Sequence, residues 1–386
     1  MKIALLFMTL ATVAKFVARA MSSVCRLLKK KKASPEPIRR DWYGNCENCG
    51  RLGGLHRFQG KRYCAMCHAR IKTEWDFSKK EQKDTRITTI PKGNKMNILK
   101  DFDTAIANAE DTPKGYCVGG RSYDSYMSND AWADYLDGMS AEHRSQYGDG
   151  SGGELKEKNG RPPKMAAFAS SSRMTYLLSR DIPGFVFEKQ LSTVIGGVAN
   201  LDGYQERNEQ YTFVEAKCRE PYSYKSPQTI KQNYKPLYTY LQDKMPEVFS
   251  CTMEDVPDSR DMRVTFYCRG KEAVYFDIKQ MLCHLLGVAN KMLTGRKCDT
   301  PVQFLYLLYN PTKLDLPQGG REEILRIYQD TCAAVENYDF ANIFGYVVDF
   351  LMQEKEYSVT VENVANLKNN FYFALCDQDS YGGFFL

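Results

Sequence analysis

Apolar and polar positions alternate most clearly after residue 165, where strand-like and helix-like segments follow one another. "YTFVEAKC" (211–218) is the clearest strand: five of its eight residues are β-branched, aromatic or cysteine, and Pro221 ends it. "RVTFYC" and "VQFLYLLYN" read as further strands. "FVFEKQL" and "TVIGGVANLDGY" read as extended segments, with a helix end as the alternative for the first. "SSSRMTYLLSRD" places serines ahead of helical spacing, and "IKQMLCHLLGVANKML" repeats apolar residues every three or four positions. "SPQTIKQNYKPLYTYLQDKM" reads as helical at first, with Pro236 as a kink or stop. "REEILRIYQDTCAAVE" and "IFGYVVDFLMQE" add two helices. Strands interleaved with helices predict an α/β layer.

The same pattern divides the chain into five parts. Residues 1–40 form an apolar leader and a basic linker, and 41–78 a compact cysteine module. Residues 79–164 are a helical and loop connecting region, with helix-like "ILKDFDTAIANAE" and the aromatic "DAWADYLDGM" before a flexible "GDGSGGELKEKNGRPPK". The α/β core covers 165–310, and 311–386 is a C-terminal helical extension. The leader "IALLFMTLATVA", with "ARA" after it, resembles a secretory signal peptide and is too short to span a bilayer before Lys15. The alternatives are a weak membrane anchor, or an upstream start with translation beginning at Met21. The basic run "KKKK" (29–32) and the thiol spacing described next favour the cytoplasm.

Charge changes the picture at the front of the chain. The net charge of +6 conceals 23 Lys/Arg against 7 Asp/Glu in residues 1–100, and 30 against 40 in the remainder. A basic front on an acidic body points to a polyanion partner, with a solvated basic arm as the plainer reading. Thirteen cysteines without a regular framework argue for reduced thiols. Only Cys46, Cys49, Cys64 and Cys67 have ligand spacing: two C-x2-C pairs separated by fourteen residues. Four thiolates so arranged suit tetrahedral Zn²⁺. "LHRFQGKRYC" between them predicts a hairpin turning at Gly60, and "CHARIKTEWDF" a helix, an order that resembles a treble clef. Arg57, Lys61, Arg62 and Arg70 then give a basic surface for phosphates, or they simply keep a structural zinc clip soluble.

The strand 211–218 carries the candidate chemistry. Residues two apart share a face, so Tyr211, Phe213, Glu215 and Lys217 lie on one side and Val214, Ala216 and Cys218 on the other. The polar "YQERNEQ" predicts a hairpin that pairs this strand with "VANLDGY" and brings Asp202 near Glu215. Two carboxylates beside a lysine form a hard oxygen site suited to Mg²⁺. Two other acid-x-Lys triplets compete. Glu154-Leu155-Lys156 lies in the glycine-rich loop with no strand before it and is set aside. Asp277-Ile278-Lys279 reads as a helix N-cap, with Gln280 completing a capping-box spacing.

Asp202 followed by Glu215-Ala216-Lys217 resembles the signature of the PD-(D/E)XK nuclease superfamily, and Glu188 fits the helical acid many members carry. Asn200-Leu201 stands where the family name has its proline. The resemblance covers about residues 165–310 and implies a restriction-endonuclease-like core, a central mixed sheet flanked by helices. It also implies Mg²⁺-dependent hydrolysis of DNA phosphodiesters, of restriction or defence type. By that resemblance Asp202, Glu215 and the Ala216 carbonyl hold one or two Mg²⁺, Lys217 orients water or stabilises the transition state, and Glu188 orients metal-bound water or a second ion. In some such relatives a glutamine with an aromatic residue four positions later lies beside the site; Gln280 and His284 share that spacing on one helix face, with histidine departing from the tyrosine, or His284 is a core residue satisfied by a backbone carbonyl. Lys164 and Arg173 are candidate phosphate clamps. Double-strand cutters of this fold pair two sites, which implies a homodimer; no small-molecule cofactor is expected. The alternative class is a catalytically inactive, zinc-containing nucleic-acid-binding protein on the same scaffold.

The cysteine spacing predicts about one zinc per chain in the purified protein, lost together with Cys46→Ser or Cys64→Ser. Metal analysis without stoichiometric zinc would remove this module.

Overall fold

The computed structural model describes residues 95–149, 153–223 and 225–385, together with the strands at 43–45, 52–58 and 61–64. The chain divides into two compact units, Met1–Ile90 and Pro91–Leu386. In the first unit β1 (Tyr43–Asn45), β2 (Leu52–Phe58) and β3 (Lys61–Cys64) form an antiparallel sheet in that order. β2 and β3 pair antiparallel, with Arg57 and Arg62 as register partners. Cys46, Cys49, Cys67 and Arg70 lie outside the described residues.

The second unit opens with helix α1 (Lys95–Asn108), the hairpin β4 (Lys114–Val118) and β5 (Arg121–Met127), then α2 (Asn129–Asp137) and α3 (Ala141–Asp149). Next come α4 (Ser171–Ser179), β6 (Phe185–Ser192), β7 (Val198–Arg207) and β8 (Gln210–Lys217). An insertion follows: β9 (Gln228–Lys231), α5 (Lys235–Lys244), β10 (Phe249–Asp255), β11 (Asp261–Cys268) and β12 (Lys271–Glu272), its strands forming a second, antiparallel sheet. The chain returns through α6 (Ile278–Gly295) to β13 (Val302–Leu308). It ends with α7 (Gln318–Asn337), α8 (Phe340–Glu354), α9 (Val361–Asn369) and β14 (Phe371–Cys376). Among the described residues no helix is long and apolar enough to cross a membrane.

The main sheet is mixed, with strand order β14-β13-β8-β7-β6. β6, β7 and β8 are antiparallel neighbours, whereas β8, β13 and β14 run parallel. β8 is central, and every residue from Tyr211 to Cys218 is buried. Its alternation matches the two cores. Tyr211 and Phe213 pack with α6, α8 and the inserted sheet; Val214, Ala216 and Cys218 pack with α1, α2, α4 and the first half of α7. Both faces being covered explains the unbroken apolar run around two charges.

Three sequence expectations change. Residues 311–386 do more than extend the core with helices, because β14 joins the sheet beside β13. Residues 79–164 do more than connect: Phe102, Trp132, Tyr147 and Met165 complete the core on one sheet face. Residues 228–231 are a strand, and the helix begins at Lys235 with Pro236 in its first turn. Proline suits that position because its missing N–H has no helical partner there.

α6 lies close on the sheet. A Cβ at Gly287 would sit 2.9 Å from the Cβ atoms of both Leu191 and Ala199. Gly287→Val should therefore push α6 off β6 and β7 and destabilise the protein by about 1–3 kcal/mol, read as a lower urea midpoint.

A candidate active site where two strands part

Glu188 and Asp202 interrupt the β6–β7 ladder. Phe187 pairs with Gly203 and Lys189 with Leu201, but Glu188 and Asp202 are paired with nothing, and Glu188 has φ of +52°. Left-handed backbone at a glutamate is strained, a feature that clusters at functional sites. β7 and β8 stop pairing at the same level, Gly203 opposite Val214 being the last pair. Into the opening Asp202 turns its Oδ2, which accepts the Ala216 N–H at 2.8 Å. A strand residue's N–H and C=O project to the same side, so the Ala216 carbonyl faces this gap as well.

Glu215 and Lys217 end β8 on the α6 side, side chains 2% and 9% exposed. Lys217 Nζ donates to Glu215 Oε1. Burial pushes the Glu215 carboxyl up to about 7, with Lys217 pulling the other way. For Lys217 burial acts downward, but the Glu215, Glu220 and Asp202 carboxylates outweigh it and hold the amine protonated well above its usual range. That favours an electrostatic role over a general base. His284, 2% exposed on α6, brings Nδ1 within 3.2 Å of Glu215 Oε2 without hydrogen-bond geometry. Burial and Lys217 pull its pKa down to about 3, and the ring bonds the Asn200 backbone carbonyl. His284 is thus a neutral core histidine, whereas Gln280 lines the cleft and its N–H is capped by Asp277 Oδ1 at 3.0 Å.

A cleft of about 410 Å³ collects these groups. Glu154, Glu188, Asp202, Glu215 and Glu220 line it, with Lys164, Lys217, Arg219 and Lys225 among them. Glu154-Leu155-Lys156 lies outside any strand, as the sequence reading that set the triplet aside expected, but Glu154 itself reaches the cleft. It is 5% exposed, accepting Lys164 Nζ at 2.6 Å and Ser172 Oγ at 3.0 Å. Ser172 Oγ also reaches Glu188 Oε1 at 3.4 Å. Glu188 stands on β6 and not on a helix, because the apolar Phe185 and Phe187 before it alternate into the core as strand residues. Burial, then Asp202 and Glu154, raise its pKa to about 8. Burial first, and then Glu215, raise Asp202 also.

Arg173 is corrected too. It is 6% exposed and gives a two-pronged contact to Glu110, both bonds 3.0 Å, so it clamps the protein's own chain. Glu220 and Ser171 escaped the sequence reading. Ser171 Oγ donates to both Glu220 oxygens at 2.7 and 2.8 Å, and Cys218 N–H meets Ser171 Oγ at 3.1 Å and Glu220 Oε2 at 3.0 Å. This network fixes the chain as it leaves Lys217. Its signal was the Glu three residues after the strand lysine.

The donor set of the cleft is carboxylate oxygen, which fits a hard divalent cation: Asp202 and Glu154 raise the Glu188 pKa, and Glu215 that of Asp202, within a single cleft. Among the described residues, however, no three His, Cys, Asp or Glu side chains stand together as a ready cation cage. Glu215 is turned to Lys217, and Asp202 Oδ2 to a backbone N–H. Comparison with family models, curated proteins and solved structures returns no match.

The folded protein keeps a proton on Glu188 up to about pH 8, while the unfolded chain releases it near 4.5. More protons are then bound in the native state across that window, so this group's contribution to stability falls as pH rises from 4.5 to 8 and levels off above it. Denaturant midpoints taken with a chelator should show Glu188→Gln losing less stability than wild type over the same window.

Proposed function

We propose that the protein is a Mg²⁺-dependent endonuclease of the PD-(D/E)XK type, hydrolysing DNA phosphodiesters in a restriction or defence role in the cytoplasm. One observation carries this reading: Asp202 and Glu215-Ala216-Lys217 converge where β7 and β8 part, beside a cleft with further carboxylates. The element order around it supports the reading: α4, three antiparallel strands β6–β8, then α6 and a strand β13 parallel to β8. That agrees with the central mixed sheet flanked by helices that the resemblance implies.

Asp202, Glu215 and the Ala216 carbonyl would hold Mg²⁺, and Glu188 and Glu154 would support its water. Bound there, the ion supplies a lowered water pKa and neutralises charge on the phosphate. Lys217, kept protonated, places a fixed positive charge beside the reacting phosphate as negative charge develops. Lys164, side chain 61% exposed, stands at the cleft with Glu154 as its partner and is available to a backbone phosphate. The four cysteines of the first unit would hold one structural Zn²⁺, and Arg57, Lys61, Arg62 and Arg70 would add phosphate contacts. A homodimer would present two sites to a duplex.

The buried Glu215–Lys217 pair, closed on itself and backed by His284, favours a second reading: a nuclease-like scaffold that binds nucleic acid without cutting. Supercoiled plasmid nicking decides between them. With Mg²⁺ the wild type should nick, and Asp202→Ala and Lys217→Ala should each lose at least about 100-fold in rate while binding stays within about threefold. Binding without nicking by the wild type would leave the scaffold reading standing.

A further inference from the structure

The cations of the cleft differ in what already holds them. Lys217 is bound to Glu215, Lys164 to Glu154 at 2.6 Å, and Arg219 to Asp103 at 2.7 and 2.9 Å. Lys225 lines the same cleft half-buried and has no ion pair with any described residue. Its backbone is anchored: the Lys225 N–H donates to the Val274 carbonyl at 2.7 Å. Three residues on, Gln228 is buried, its Nε2 bonding the Phe276 carbonyl at 3.1 Å and its Oε1 the Lys279 N–H at 3.2 Å. At the other end of the segment, Ser171 and Glu220 hold Cys218. Lys225, its backbone held by Val274, and Ser223 thus both line the cleft wall.

An acidic cleft repels a polyanion unless a cation meets it, and a lysine already bound to a carboxylate gives up that bond to do so. Among the described residues Lys225 has none to give up. We propose that Lys225 is the substrate-anchoring cation of the cleft, contacting a non-bridging phosphate oxygen of the strand whose scissile phosphate lies against Asp202 and Lys217. This rests on the phosphodiesterase reading for the position of the strand, but the contact itself is a binding property and is testable without cleavage.

The test uses the full chain with Lys225→Gln and Lys225→Arg, both checked for wild-type thermal melting. Binding of a labelled DNA duplex is followed across a salt series with a chelator present, and nicking kinetics with Mg²⁺. Lys225→Gln should reduce the slope of log affinity against log salt by about one, and raise KM about 5- to 30-fold with kcat within about threefold. Lys225→Arg should restore most of both. An unchanged slope and KM in Lys225→Gln overturns the proposal, as does a loss confined to kcat. Should the wild type bind but not cut, the salt slope still decides Lys225, and hydrolysis alone falls.

Discussion

A charged pair inside the central strand of a two-faced sheet is the constraint on which the rest depends. Glu215 and Lys217 are almost sealed from water, and either charge alone would cost several kcal/mol there. The pair is tolerable because each neutralises the other and because Glu220 and Asp202 add to the field around the amine. The apolar residues around it are what make the pair so exacting. Phe213 packs on one face, Val214 and Ala216 on the other, and β13 runs alongside. With side chains only 2% and 9% exposed, the pair has its geometry set mainly by the fold.

The second constraint is backbone geometry. A sheet closed over its full length would leave Asp202 no way to reach the Ala216 N–H and the Ala216 carbonyl no open side. The end of β7–β8 pairing at Gly203 and Val214, beside the missing Glu188–Asp202 pair, leaves room for both. Gly203, next to that break, is where a Cβ would lie 2.2 Å from the Phe185 ring, so a side chain there would displace the aromatic that closes β6 onto β7. The opening is thereby a built feature of the sheet edge between two strands, and the acids that line it gather where the ladder cannot use them.

How much of this the sequence carried depended on the range of the interaction. Alternation within β8 and the Asp277 cap on α6 are decided by neighbours two or three residues apart, and both were legible. Glu154 was not, because its glycine-rich surroundings look like free loop, and only contact with Lys164 and with Ser172, 18 residues away, buries it. Arg173 misled for the same reason: its partner Glu110 is 63 residues upstream. β14 was missed because "FYFALC" follows three helices and acquires its meaning only beside β13. Glu188 shows a different failure, since no local pattern marks a strand residue that must adopt a left-handed backbone.

The protonation of Lys217 narrows what the site can do. Burial alone would drive an amine toward neutrality and make it a base. Here three carboxylates reverse the sign, and His284, which might have supplied a base, is neutral in the core and spends its bond on the Asn200 carbonyl. The groups whose protonation is displaced upward are therefore Glu188 and Asp202: burial raises both, with Asp202 and Glu154 adding to the first and Glu215 to the second. Lowering either one requires positive charge brought into the gap, and the protein has committed its nearest amines to Glu215 and Glu154. A cleft rich in acids, with these two lysines already tied to carboxylates, would suit an anionic substrate only when it arrives with, or meets, a further cation.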